Sequence, residues 1–121
     1  MSRREITVLT DAALITCIVQ RGNADKLINA ARDAGATGAT VHYARGTGIR
    51  ERLGILGITI EAEKAVINIV VSTDQIDHVF EKLYVAGKID TPGMGFMYVT
   101  PLEKAATYIP HQIRDKLSGI S

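Results

Sequence analysis

Residues 13–35, ALITCIVQRGNADKLINAARDAG, change their periodicity halfway along. The first part, residues 13–20, is a nearly continuous apolar run rich in branched side chains, the pattern of a strand buried on both faces. Gly22 and Asn23 end it. From Ala24 onward apolar residues return at three- and four-residue spacing (Leu27, Ile28, Ala31, Ala34), which gives a helix one face for a core. Asn23 is placed to cap that helix and Gly35 to stop it. A buried strand feeding straight into a helix is the first half of a βαβ unit.

The same order returns further on. Residues 38–45 (GATVHYAR) alternate as a second strand, and residues 61–71 (EAEKAVINIVV) form a third. Ser72-Thr-Asp-Gln75 reads as a capping box. The helix it opens carries Ile76, Val79, Phe80 and Leu83 on one stripe, and Gly87 closes it. Residues 96–99 make a short fourth strand. Residues 4–9 have some strand character, broken at Thr10-Asp11. Residues 102–108 suit either a short helix or an extended arm, and Pro110 sets off a polar tail, 111–121, from a domain of residues 1–110. The fold class is α+β: a ferredoxin-like double βαβ, with an antiparallel sheet and two helices on one face. The other face has no cover within the chain although strands one and three are apolar almost throughout. Self-association through that face is the expectation.

Composition narrows the functions. The 121 residues carry a formal net charge of +1, with 46% hydrophobic and 22% charged side chains. Such a balance argues against nucleic acid as a partner, which usually shows as a basic excess. The single cysteine, Cys17, lies inside the apolar run and reads as a small buried hydrophobe. No apolar run approaches the ~18 residues of a membrane span, so a cytoplasmic location is expected. His42, His78 and His111 have no metal-ligand spacing, and no nucleophile–base pairing stands out. Asp74 and Asp77 are explained by the dipole at a helix start. These residues point to no enzyme and to no metal.

Two glycine-rich segments could hold an anion. In YARGTGIRER, residues 43–52, Gly46 and Gly48 permit sharp turns that expose backbone amides, and Arg45, Arg50 and Arg52 supply charge. A plain turn with a solvated charge run explains the same residues. In residues 86–95, AGKIDTPGMG, Lys88 sits among glycines, but the spacing of a phosphate-binding P-loop is absent. A helix cap followed by a Pro-Gly turn is the competing explanation.

Taken together, the double unit, the Gly46-Thr-Gly48 opening of a long connection and the Gly87-Lys-Ile-Asp-Thr-Pro-Gly93 loop resemble the P-II signal-transduction proteins over roughly residues 15–99. The resemblance implies a homotrimer with adenine nucleotides bound between subunits, and a T-loop (residues 46–60) that regulates a partner protein such as an enzyme or membrane transporter. It implies a B-loop at residues 87–95 and a C-loop at residues 100–108. By position, Thr40 and Val70 would lie near the adenine. Gly46, Thr47, Gly48 and Arg50 would form the loop base, and Gly87, Lys88, Ile89 and Gly93 would approach phosphates. Arg52, Leu53, Ile55 and Leu56 would meet the partner.

The departures from the family pattern imply something too. Arg50 stands where a glutamine usually helps bind magnesium and 2-oxoglutarate, and an arginine cannot ligate a metal. No tyrosine lies between Gly46 and Ile60 to accept a uridylyl group. Met94 replaces a second lysine, and Ala105 and Thr107 replace arginines. Each lost charged contact is worth about 1.5–3 kcal/mol. The ligand expected is therefore AMP or ADP rather than ATP, or another small anion, with no required cofactor. Two alternatives share the double unit: an amino-acid-sensing binding module, and a structural trimer related to the divalent-cation-tolerance proteins.

Overall fold

The computed structural model describes residues 6–36, 38–45 and 63–108 of the chain. β1 (Ala12–Gln20) passes through one 3₁₀ turn, Arg21–Asn23, into α1 (Ala24–Asp33). β2 (Thr40–Arg45) and β3 (Glu63–Ser72) follow, and a second 3₁₀ turn, Thr73–Gln75, leads into α2 (Ile76–Ala86) and then β4 (Gly95–Leu102). The sheet order is β2-β3-β1-β4, with every neighbouring pair antiparallel. This is the ferredoxin-like arrangement that the two strand-helix-strand halves dictate.

The core follows from the two periodicities. Every second residue of the central strands faces the helices: Ile15, Cys17 and Val19 from β1, and Ala65, Ile67, Ile69 and Val71 from β3. They meet Ala24, Leu27 and Ala31 of α1 and Val79 and Leu83 of α2, which recur at helical spacing. Burying each of the larger side chains is worth about 1.5–3 kcal/mol. The pocket for Cys17 is dry enough that burial pushes its thiol pKa up to about 12.

α1 starts after Asn23 as expected but without the cap bond, and the start of α2 is displaced. Asn23 makes no side-chain cap bond, because as the last residue of a 3₁₀ turn (φ −99, ψ 0) it lacks the extended backbone that such a cap requires. The capping box at Ser72 does not form either. The inserted turn moves the N-cap to Gln75, and the Ser72 hydroxyl donates to Asp74 Oδ1 at 2.6 Å. Both helices end in one motif, with the sixth residue's N–H bonded back to the first carbonyl. In α1 this is Ala36 to Ala31 (2.9 Å) around Gly35 at φ +102; in α2 it is Ile89 to Tyr84 (3.1 Å) around Lys88 at φ +52. Gly87, expected as the stop, retains helical φ at −84.

β4 runs longer than expected and includes Pro101, tolerated because this is an edge strand. Beyond it the chain stays extended: Leu9 and Ala105 exchange two backbone hydrogen bonds of 2.7 and 2.9 Å. Of the two readings for residues 102–108, the extended arm holds.

The face away from the helices carries rows set by the strand register. One row is Thr40, Asn68, Thr16 and Tyr98; the next is His42, Val66, Ile18 and Phe96. It is more mixed than the apolar strands suggested. Thr16 Oγ1 donates to Asn68 Oδ1 at 2.9 Å in the middle of the sheet. Around that polar pair Val70, Phe96 and Tyr98 are 52%, 37% and 42% exposed. Nothing among the described residues covers this face.

Candidate functional site

The register divides the expected ligand residues into two groups. Thr40 opens β2 opposite Asn68, and Val70 lies two residues further along β3 on the same open face. Beside them Gly35, Ala36, Val70, Val71, Ser72, Gln75 and Val79 line a cavity of about 180 Å³. The arm after β4 leaves the sheet at this end too, since Leu102 pairs with Ala12 and Ala12 with Ser72.

The loop after α2 lies at the other end. It delivers the chain to Gly95, which pairs with Val19 near the exit of β1. Gly93 is tied to Gln20, which pairs with Lys64, and Lys64 lies four residues, roughly 14 Å at about 3.4 Å per residue, from Asn68 opposite Thr40. Thr40 and Val70 are therefore not brought together with Lys88 and Gly93 within one chain. Gly46, Thr47, Gly48 and Arg50, and the partner-facing Arg52, Leu53, Ile55 and Leu56, lie outside the described residues. The tail 111–121 does too.

Each member of the second group has a local physical reason. A Cβ on Gly87 would sit 3.0 Å from Leu27 Cδ2 and Ile89 Cδ1, so the missing side chain lets the loop close onto the core. Ile89 packs against that core as an apolar anchor. Lys88, between them, is exposed and held in left-handed backbone. Two turns follow (Thr91 N–H to Lys88 O, 2.9 Å; Met94 N–H to Thr91 O, 3.2 Å), and Gln20 Nε2 donates to the Gly93 carbonyl at 3.0 Å. Buried neighbours thus fix the loop backbone, while its cation faces outward.

Sequence reasoning missed Arg21. It stands at the mouth of the connection between β2 and β3, with its guanidinium 4.5 Å from the Tyr43 ring centre and 2.5 Å from Glu63. The hydrogen bond to Glu63, then that carboxylate's charge, raises the arginine's pKa. The pair is exposed and contributes little to stability. It places a guanidinium, held by Glu63 and Tyr43, at the same end as Lys88. Its only sequence signal is an arginine directly after a buried strand, and the partners across the sheet appear only with the register.

Among the described residues no cluster of His, Cys, Asp and Glu could hold a metal ion, and no helix is long and apolar enough to cross a membrane. The arrangement offers backbone turns, exposed cations and a shallow recess, the equipment of a binding protein built on a ferredoxin-like α+β sandwich. The family model for nitrogen regulatory protein P-II matches residues 12–111. The chain belongs to the P-II family, and with it to the non-enzymatic signal transducers that respond to small molecules. Among solved structures, the crystal structure of Arabidopsis thaliana PII bound to citrate aligns with a TM-score of 0.61 at 22% identity, covering 78% of this chain and 79% of that one. A search of the curated proteins returns no match.

Proposed function

We propose that the chain assembles into a homotrimer through its open sheet face and binds a small anionic ligand at the seams between copies. The ligand is an adenine nucleotide of low charge, AMP or ADP in preference to ATP. Its occupancy selects a state of the loop after β2, and a regulated cytoplasmic enzyme or membrane transporter reads that state. Thr40 and Val70 serve the base from one copy, while Gly87, Lys88, Ile89 and Gly93 serve the phosphate from the next. Gly46, Thr47, Gly48 and Arg50 form the loop base, and Arg52, Leu53, Ile55 and Leu56 meet the partner.

The observation that carries this reading is the placement of the two residue groups at opposite ends of one sheet. A ligand touching both groups needs two chains. The recess beside Val70, about 180 Å³ within one chain, is also smaller than the ~300 Å³ at which small-molecule pockets begin. Charge supports the low-charge ligand: Arg21, a cation at the loop end, is already engaged by Glu63, which leaves less charge to meet a phosphate.

Light scattering and a melting screen with AMP, ADP and ATP test it. A trimeric mass is expected, with a stabilisation of about 2.7 kcal/mol at a hundredfold excess over Kd for the preferred nucleotide. A monomeric mass together with no shift from any nucleotide would overturn it.

A further inference from the structure

The family match starts at residue 12, yet the segment before it is joined to the body on both sides. Ala12 pairs with Leu102; three residues back on one strand and three forward on the other, Leu9 pairs with Ala105. The β1–β4 register therefore continues through Thr10 and Asp11 without slipping. On the opposite side Ala12 pairs with Ser72, and one step earlier the Asp11 carbonyl accepts a hydrogen bond from Thr73 N–H at 2.8 Å. The segment is thus bonded to the arm after β4 and to the turn that opens α2, whose neighbours Ser72 and Gln75 border the recess beside Val70.

We infer that residues 6–11 act as a strap that sets the position of the arm, residues 103–108. The arm is short of other ties. Glu103, Lys104, Thr107 and Tyr108 are exposed, with Tyr108 at 82%. The two bonds between Leu9 and Ala105 are the backbone hydrogen bonds that hold it among the described residues. Ile6, at 74% exposure, does not pack on the core, so burial does not fix the start of the strap. Strap and arm form a two-stranded ribbon held by few bonds, at the low-stability end of the molecule where opening requires no disruption of the core. Releasing the strap frees the arm and one border of the recess together. That the recess takes a ligand rests on the function proposed above; the strap itself does not.

Amide hydrogen exchange on the full-length chain tests this. Leu9→Pro removes the N–H that bonds to Ala105. Exchange at the Ala105 amide should then quicken by about tenfold, the effect of losing one net hydrogen bond from a pair. The amides of Ile15 and Ile67 should keep their rates. Leu9→Ala retains both bonds and should quicken Ala105 less than Leu9→Pro does, since only the packing of a half-buried side chain is lost. An unchanged Ala105 rate in Leu9→Pro, or equal acceleration in both variants, overturns the inference. Should Leu9→Pro also loosen the core amides, Ala105→Pro read at the Leu9 amide decides by the same criterion. No ligand enters the measurement, so failure of the nucleotide reading would leave this result standing.

Discussion

Replacing Gly95 by alanine puts a methyl group where the first rung of β4 leaves no room. A Cβ there would lie 2.7 Å from the Ile18 carbonyl oxygen and 2.8 Å from Val19 Cγ1, with the backbone at φ +157. The nearer obstacle is the main chain of a central strand, so turning a side chain cannot relieve it. Overpacking of this kind costs about 1–3 kcal/mol, and a backbone obstacle places the expected loss at about 2–3 kcal/mol. For 121 residues, the unfolding entropy of about 2.1 cal/mol/K per residue converts that loss into a fall in Tm of roughly 8–12 °C. Two further glycines isolate the cause. Gly22 has nothing within 4 Å and no left-handed φ, so Gly22→Ala should stay within about 0.5 kcal/mol of the parent. Gly35 also has open space but sits at φ +102, so Gly35→Ala should lose about 1 kcal/mol from backbone strain alone. Urea unfolding followed by far-UV circular dichroism, with an unchanged m value, ranks the three. If Gly95→Ala unfolds at the same urea concentration as Gly22→Ala, the close approach of β4 to β1 is wrong.

Lys88→Gly relieves a left-handed lysine where the matching position of α1 already has glycine, and should stabilise by about 0.5–1 kcal/mol after glycine's entropy is counted. Under the proposed function the same change weakens ADP binding, which calorimetric titration would reveal; a destabilised variant with unaltered affinity contradicts both expectations. Burial pushes the Cys17 thiol up to about 12 in the folded state, from an ordinary value of 9.0, so the folded state holds the proton more tightly. Its contribution is complete below pH 9 and falls by about 1.4 kcal/mol per pH unit above it, until the folded thiol ionises. Cys17→Ala should flatten that part of the alkaline unfolding profile, and identical slopes in the two proteins would refute it.

The elements that sequence made legible are those whose signal lies within a few residues. The unbroken apolar run of β1, the spacing of Leu27, Ile28 and Ala31, and the stripe of Val79 and Leu83 each state their own geometry, and the fold class follows from their order. The likeness to the P-II family, read from the loops, is borne out by the family model over residues 12–111. What stayed illegible depends on partners distant in sequence. The packing reason for Gly87 needs Leu27 beside it, and the place of Arg21 needs Glu63 and Tyr43. Ser72 and Gln75 have the spacing of a capping box, but the 3₁₀ turn gives Ser72 a nearer acceptor in Asp74. Periodicity also overstated the open face, because a strand with apolar neighbours can still carry a central polar pair such as Thr16 and Asn68.

The distance along β3 between the Val70 end and the Lys88 end has a genetic consequence. If every seam draws one end from each of two chains, a chain damaged only at Val70 and a chain damaged only at Lys88 are each inactive alone. Mixed in one ring, they leave some seams built from the sound end of each, and binding returns in part. A site contained within a single chain would show no such complementation.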